Sequence, residues 1–321
     1  MTAASPPRAV PETVREDLLA ALEVADRHSG LDATGLAELL YADWYLGLPG
    51  APPDEPPAVP EPVDIALVDL LRDAHVDARR FEPGWTVEGV SSQGRVAVVR
   101  DGRKRILARV DVLPSVRACL PPRPGETVRA VARRDAIDEA TAFWFTYGGD
   151  WDEAAELSPE LVRVYWHVRR RAAPELVGVL TEHLAEARAS YSLKVAVADP
   201  DVERPDRAVL YLTSDSYAAA APAIRRAHGA VARDLLPRVP RLTRHLAPGL
   251  ALADDPGTGE SFGQQRCGLV AEALRGERAN MTANADERAA VVVEHLAATG
   301  HDPARPYLRV GSDEDHPWPS A

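Results

Sequence analysis

Lysine is nearly missing from this sequence. The 321 residues include two lysines, Lys104 and Lys194, although lysine and arginine together number 37. Arginine stays protonated in proteins, whereas lysine can lose its proton and act as a base. A nucleotide bias toward arginine codons is the simplest explanation of the trend, and it makes each remaining lysine a candidate for a specific role.

Cysteines and long apolar runs are also scarce. Cys119 and Cys267 are the two cysteines of the chain, a pair that suggests neither a disulfide framework nor a metal site. No run of about 18 apolar residues is present, so we expect no membrane-spanning helix. Because the first residues also lack an apolar signal core, the sequence predicts a cytoplasmic protein with no membrane partner.

The charge balance is acidic, with 49 aspartates and glutamates and a formal net charge of −12. A phosphate backbone requires a basic face, so this balance disfavours nucleic acid as a partner. The histidines show no metal-ligand spacing, and the glycines fit neither a P-loop nor a dinucleotide-binding fingerprint. We therefore predict neither a metal nor a cofactor.

Residues 1–135 carry helical patterns followed by strand patterns. Apolar residues recur every three or four positions near the N-terminus and again over residues 36–44, which predicts two helices. Seven prolines within residues 49–62 predict an extended connector, and a short helix follows over residues 63–74. A period of two over residues 84–112 predicts a small antiparallel β module. We interpret this part of the chain as a module for binding a peptide or partner.

Residues 136–321 mix helices and strands without a regular βαβ rhythm, which predicts an α+β fold with helices around an antiparallel or mixed sheet. The predicted strands are 191–198 and 207–213. The predicted helices cover 158–168, 174–184, 222–235, a segment starting near Ser261, and 286–298.

The strand around Lys194 has two different faces. Ser192, Lys194 and Ala196 alternate with the apolar Leu193 and Val195. The lysine therefore stands among small neighbours that leave room for a substrate. A lysine at a sheet edge that blocks aggregation is the alternative interpretation.

Charged residues lie just before the next predicted strand. Arg204, Asp206 and Arg207 precede an apolar run that ends near Tyr211. If the two strands are neighbours, these charges lie close to Lys194, and arginine is suited to binding phosphate or carboxylate. A solvated loop with a local ion pair is the alternative.

Two further segments are candidates for anion binding. Ser261 and Gln264 have the spacing of a capping box, so a helix N-terminus would point its free amides at the preceding glycine loop, with Arg266 about one turn further. Arg163 and His167 are four residues apart and would share one face of a predicted helix. A structural cap and a surface pair are the respective alternatives.

Taken in order, these segments resemble the HopA-type effector family, first named from a type III secreted bacterial effector. The resemblance covers about residues 141–308. The matching segments are Leu193-Lys194-Val195, Arg204-x-Asp206-x-x-Val209-Leu210-Tyr211, Ala247-Pro248-Gly249-Leu250, Ala253-Asp254-Asp255-Pro256, Ser261-Phe262-Gly263-x-x-Arg266-Cys267 and Arg305-Pro306-Tyr307-Leu308.

The resemblance implies a lyase of lanthipeptide-type maturation, because related proteins occur in biosynthetic clusters for class V lanthipeptides and thioamide-containing peptides. It would eliminate phosphate from phosphoserine or phosphothreonine of a precursor peptide and leave dehydroalanine or dehydrobutyrine. A separate aminoglycoside-phosphotransferase-like kinase would add the phosphate.

In that reaction Lys194 is our candidate base, provided that nearby arginines and partial burial favour its neutral form. Tyr211, His167 and His245 are alternatives for the general acid, and Asp206 would orient an arginine or the lysine. Arg204, Arg266 and Arg163 would hold the phosphate, with Arg207 and Ser261 as further candidates. A non-catalytic module that binds the phosphopeptide or leader, or that scaffolds the kinase, is the alternative function.

Overall fold

The chain divides into two compact units. The large unit comprises Met1–Val76 together with Asp135–Ala321, and the small unit comprises Asp77–Arg134. The N-terminal helices thus belong to the same compact unit as the C-terminal region. The computed structural model describes residues 9–48, 62–76, 81–114, 122–131, 135–149, 151, 155, 158, 160–198, 203–276, 284–312 and 316–318.

Within these residues the secondary structure comprises seven α-helices and two antiparallel sheets. The helices are α1 (Glu12–Arg27), α2 (Ala33–Leu39), α3 (Ile65–Ala74), α4 (Ala173–Glu186), α5 (Ser214–Val231), α6 (Phe262–Arg275) and α7 (Ala285–Ala298), with a π-helix (Leu40–Tyr45) directly after α2. The strands are β1 (Phe81–Val90), β2 (Arg95–Arg100), β3 (Arg103–Ala108), β4 (Val112–Pro114), β5 (Thr127–Val131), β6 (Asp135–Asp138), β7 (Phe143–Gly148), β8 (Leu161–Trp166), β9 (Tyr191–Ala196), β10 (Ala208–Thr213), β11 (Arg244–Ala247) and β12 (Leu250–Asp254).

The large unit is built around a seven-stranded sheet in the order β11-β12-β8-β10-β9-β7-β6. Helices α3, α4 and α5 pack on one face of this sheet through a large apolar core. Helices α1, α2, α6 and α7 form a second core against residues of the opposite face, including Tyr165, Val209 and Ala253. Two helical layers around an antiparallel sheet confirm the predicted α+β class.

Two predicted helices of this unit are wrong in type or extent. The segment 158–168 contains the interior strand β8 (Leu161–Trp166) rather than a helix, and all six residues of this strand are buried. In a strand that is buried on both faces, polar and apolar residues do not alternate. Its mostly apolar sequence therefore resembled the apolar face of a helix. Helix α5 begins at Ser214 and holds Pro222 inside it, so this proline is not the start signal that we expected.

The small unit is a five-stranded antiparallel sheet in the order β3-β2-β1-β5-β4, which confirms the predicted β module. Its core contains Trp85, Val87, Val96 and Val98 together with residues of β4 and β5. The described helices include none that is long and apolar enough to cross a membrane. Residues 49–61 of the predicted connector, Pro159 of the predicted helix 158–168, and Cys119 lie outside the described residues.

Candidate functional site

The candidate site lies on the sheet face of the large unit that carries Lys194. Lys194 pairs with Val209 across β9 and β10, and Ser192 pairs with Tyr211. Tyr211 in turn pairs with Arg163 of β8. Because side chains alternate along a strand, Lys194, Tyr211 and Arg163 point to the same face, opposite to the α4–α5 core.

Aromatic rings surround the Lys194 amine. Its Nζ lies 4.5 Å from the ring centroid of Phe143 and 5.8 Å from that of Tyr211, and the residue is half-buried. The small neighbours that we noted along the strand are present, but the rings come from the adjacent strands β7 and β10. Such rings attract a cation and limit its contact with water.

Arg204 and Asp206 form a bidentate pair beside this lysine. Nε and Nη2 of Arg204 donate to the two carboxylate oxygens of Asp206 at 2.6 and 3.0 Å. The guanidinium carbon of Arg204 lies 4.8 Å from the centroid of the same Phe143 ring that Lys194 contacts. Burial raises the pKa of Asp206, but Arg204 and then Lys194 lower it, and the net shift is downward. The carboxylate therefore stays ionised between two cations.

Arg163 forms a second buried pair on the same face. Its Nε donates to Asp255 Oδ2 at 2.7 Å, and its Nη2 donates to the same oxygen and to the Glu260 carbonyl. Its guanidinium carbon lies 5.3 Å from the Tyr211 ring centroid. Burial lowers the pKa of Arg163, but Tyr211 and Asp255 raise it above its usual range. Arg163 is therefore a fixed positive charge at this end of the face.

A cavity of about 300 Å³ opens beside Arg163. Gly257 and Gly259 line it, and both have positive φ angles of 72° and 83°, a conformation that favours glycine. The loop is tied to the ion pair because the Gly257 amide donates to Asp255 at 2.9 Å. Other lining residues include Phe145, Trp151, Ser192, Tyr211 and Glu260.

Ser261 begins α6 with the predicted capping box. Its Oγ accepts from the Gln264 amide, and its own amide donates to Gln264 Oε1, both at 3.1 Å. Tyr41 of the π-helix lies against this corner of the site. Burial and the charge of Asp206 raise the pKa of Tyr41 to about 12, against the effects of Arg204 and a hydrogen bond with Ser261.

Arg266 differs from the predicted phosphate-binding role. The side chain is completely buried, and it donates to the carbonyls of Pro306 and Leu308, both at 2.8 Å. Its Nη1 also contacts His301 and Gln265. Burial lowers the pKa of Arg266 to about 10. These contacts hold the segment after α7 against α6, and they use the donors that we assigned to phosphate.

His167 and Arg207 lie together at the far end of the same sheet face. His167 is 2% exposed and its Nδ1 donates to the Arg238 carbonyl at 2.9 Å. Burial lowers the pKa of His167, and the charge of Arg207 contributes in the same direction. The predicted helical pairing of His167 with Arg163 is wrong, because both belong to the β8 region. His245 is exposed on β11, away from Lys194 in the strand order.

Sequence reasoning missed several residues of the site. Phe143 and Tyr41 come from distant segments, and no local pattern marks them. Asp255 lies in a segment that we noted, but its pairing with Arg163 across the strands carries no sequence signal. In the part of the chain that the structure describes, no group of three or more His, Cys, Asp and Glu side chains is arranged to hold a metal ion.

A family model for the HopA1 effector protein family matches residues 139–308, which is more than half of the chain. The match confirms the resemblance inferred from the ordered sequence segments. The matched residues include every strand of the seven-stranded sheet except β6, together with Lys194, Arg204 and Arg163. A comparison with curated proteins found no match.

Two solved structures are similar to this chain. The effector protein from Pseudomonas syringae pv. tomato strain DC3000 is 14% identical, with a TM-score of 0.50, over 92% of this chain and 98% of that one. The effector protein from Pseudomonas syringae pv. syringae strain 61 is 12% identical, with a TM-score of 0.49, over 94% and 100%. At such identities the first likeness concerns the fold alone.

Proposed function

The chain belongs to the HopA1 effector protein family, and we propose that its large unit is a lyase that eliminates phosphate from phosphoserine or phosphothreonine in a peptide. The product is dehydroalanine or dehydrobutyrine. The substrate must come from a separate kinase, and we propose an aminoglycoside-phosphotransferase-like enzyme as that partner.

One observation carries the proposal. The amine of Lys194 is half-buried over two aromatic rings, on the sheet face that also carries Arg163 beside a cavity. A base next to fixed guanidinium groups is what β-elimination of phosphate requires. Lys194 is also one of the two lysines of the chain.

The proposed reaction breaks the Cα–H and Cβ–O bonds of the substrate, and it forms the Cα=Cβ π bond and an N–H bond on Lys194. Lys194, in its unprotonated form, takes the proton from Cα of the phosphorylated residue. The electron pair of the Cα–H bond forms the Cα=Cβ double bond, and the Cβ–O bond breaks with its electrons leaving on phosphate. Tyr211, whose ring lies 5.8 Å from the lysine amine, is the proposed donor to the leaving oxygen.

Arg163 and Arg204 are the proposed phosphate ligands. A guanidinium has five N–H donors in a planar fork, an arrangement suited to phosphate oxygens as well as to a carboxylate. Asp255 and Asp206 fix the orientation of these arginines before the substrate arrives, so little reorganisation is needed during the reaction. The N-terminus of α6 at Ser261 adds a favourable potential for an anion.

Arg266 and His167 are left out of this mechanism. The guanidinium of Arg266 is enclosed and bonded to backbone carbonyls, and the Nδ1 of His167 is bonded to the Arg238 carbonyl. Arg207 lies beside His167 and remains a secondary candidate for phosphate.

Mass spectrometry of a phosphothreonine peptide incubated with the full chain tests the proposal. Elimination removes phosphoric acid and lowers the peptide mass by about 98 Da, whereas hydrolysis lowers it by about 80 Da. A loss of about 80 Da would identify a phosphatase instead. An unchanged mass with measurable binding would support a non-catalytic phosphopeptide module.

Lys194→Arg is the sharpest variant, because it keeps the positive charge but removes a usable base. We expect the elimination rate to fall by about 100- to 10,000-fold, with phosphopeptide affinity largely retained. Lys194→Ala should also lose turnover. Arg233→Ala, at an exposed position outside the site, is the matched control and should keep the wild-type rate.

A further inference from the structure

The small unit has the opposite charge to the rest of the chain. Residues 77–134 contain thirteen basic and six acidic side chains, a formal net charge of +7. The remaining residues contain 24 basic and 43 acidic side chains, a net charge of −19. A charge difference of this size between two compact units indicates an acidic partner for the basic one.

Strand β3 provides the edge at which such a partner can bind. Among the described strands β3 has a neighbour on one side only, namely β2. The other edge strand, β4, has three residues and ends in Pro114, so it is a poor template for a further strand. An edge strand of six residues without proline can pair with an extended peptide through its backbone.

The side chains of β3 divide into two blocks. Arg103, Lys104 and Arg105 form a basic block, and both Arg103 and Lys104 are exposed. The apolar Ile106 follows and is 61% exposed. A peptide strand beside β3 would therefore meet positive charges at one end and apolar surface at the other.

The surface is better suited to a peptide than to nucleic acid. Single-stranded nucleic acid needs aromatic faces for base stacking. Trp85 is 2% exposed, and the guanidinium carbons of Arg100 and Arg105 lie 4.8 and 5.2 Å from its ring centroid, so this ring is not available for stacking.

We infer that the small unit binds an acidic, extended segment of the peptide substrate, which adds as a strand to the edge of β3. The inference rests on the proposed function for the identity of the peptide. The acidic residues of the segment face Arg103 to Arg105, and apolar residues contact Ile106.

Binding is measured with the full chain and a fluorescein-labelled peptide made of a glutamate block followed by a valine block. This probe carries no serine, threonine or phosphate, so it cannot be a substrate of the proposed elimination. We expect saturable binding that weakens as salt is raised. The double variant Arg103→Glu, Lys104→Glu should bind about ten-fold more weakly.

The matched control is Arg169→Glu, Arg233→Glu, which changes the net charge equally at exposed positions of the large unit. It should bind within about two-fold of wild type. Absence of binding, an equal loss in the control, or tighter binding of a single-stranded DNA oligonucleotide would each overturn the inference.

A phosphothreonine peptide with and without the glutamate–valine block separates this inference from the proposed lyase activity. The block should lower KM by about ten-fold in wild type without changing kcat, and this benefit should be lost in Arg103→Glu, Lys104→Glu. If the chain eliminates phosphate but the glutamate–valine block does not change KM, the docking role of the small unit is wrong and the lyase activity stands. Probe binding by a chain that eliminates nothing overturns the lyase and, with it, the identity of the docked peptide.

Discussion

Basic side chains that we single out in the two compact units differ in their burial. In the large unit, whose net charge is −19, Arg163 and Arg266 are buried and bonded to carboxylates or backbone carbonyls. In the small unit, whose net charge is +7, Arg103 and Lys104 lie exposed on an edge strand. The positive charge is therefore part of the interior at Arg163 and Arg266 and part of a surface at Arg103 and Lys104.

The total charge of a chain therefore does not describe its individual surfaces. The net charge of −12 led us to disfavour nucleic acid as a partner of the whole chain. Counted by unit, the same sequence contains a basic module and a strongly acidic one. If the comparison is correct, removing a buried charge costs folding stability, whereas removing an exposed charge mainly changes binding.

Arg266→Leu should have the largest effect on stability. The substitution leaves the buried carbonyls of Pro306 and Leu308 without their donors. We expect the free energy of unfolding of the large unit to fall by about 2–5 kcal/mol. Urea unfolding followed by tryptophan fluorescence measures the change.

The control for this prediction is Arg103→Leu in the small unit, where the arginine is exposed. Its effect on the free energy of unfolding should stay within about 0.5 kcal/mol. Equal losses in the two variants would show that burial does not distinguish the arginines of the two units.

Asp206→Asn should remove an acid-sensitive part of the stability of the large unit. The pKa of Asp206 is lower in the folded than in the unfolded chain, where its ordinary value is 3.8. The stabilisation is therefore complete above the unfolded value and is lost as the pH falls through the folded one. Urea unfolding across pH 2–7 should show a smaller loss of stability at acid pH for the variant than for wild type.

Asp215→Asn is the control for this pH dependence, because Asp215 is an exposed carboxylate on α5. It should reproduce the wild-type profile of stability against pH. If Asp206→Asn also follows that profile, the Arg204–Asp206 pair contributes no acid-sensitive stability.

Local patterns predicted much of the fold. The β module, the strands around Lys194 and Tyr211 and the capping box at Ser261 were readable, because each depends on neighbours in the sequence. The interior strand β8 was not readable, because burial on both faces removes the period of two. The start of α5 was missed because Pro222 is tolerated within the helix.

For the site, the sequence predicted only which residues of a single strand share one face. Alternation placed Lys194 on one face of its own strand with Ser192. The shared face with Tyr211, the ring of Phe143 and the partner Asp255 depend on the register and order of the strands in the sheet. Arg266 belongs to a segment that carries the family resemblance, yet its position in the interior depends on how the chain after α7 packs. Such long-range packing leaves no periodic signal in a single sequence.

Glu88→Gln, at an exposed position of the small unit, should give the smallest change in stability. Lys104 Nζ lies 2.6 Å from the Glu88 carboxylate, but their side chains are 59% and 40% exposed. An exposed pair of this kind contributes at most about 1 kcal/mol, so the urea midpoint of the small unit should shift only slightly and less at high salt. Because the substitution removes a negative charge next to β3, binding of the glutamate–valine peptide should tighten. Weaker peptide binding by this variant would mean that Glu88 orients Lys104 for the peptide rather than competing with it.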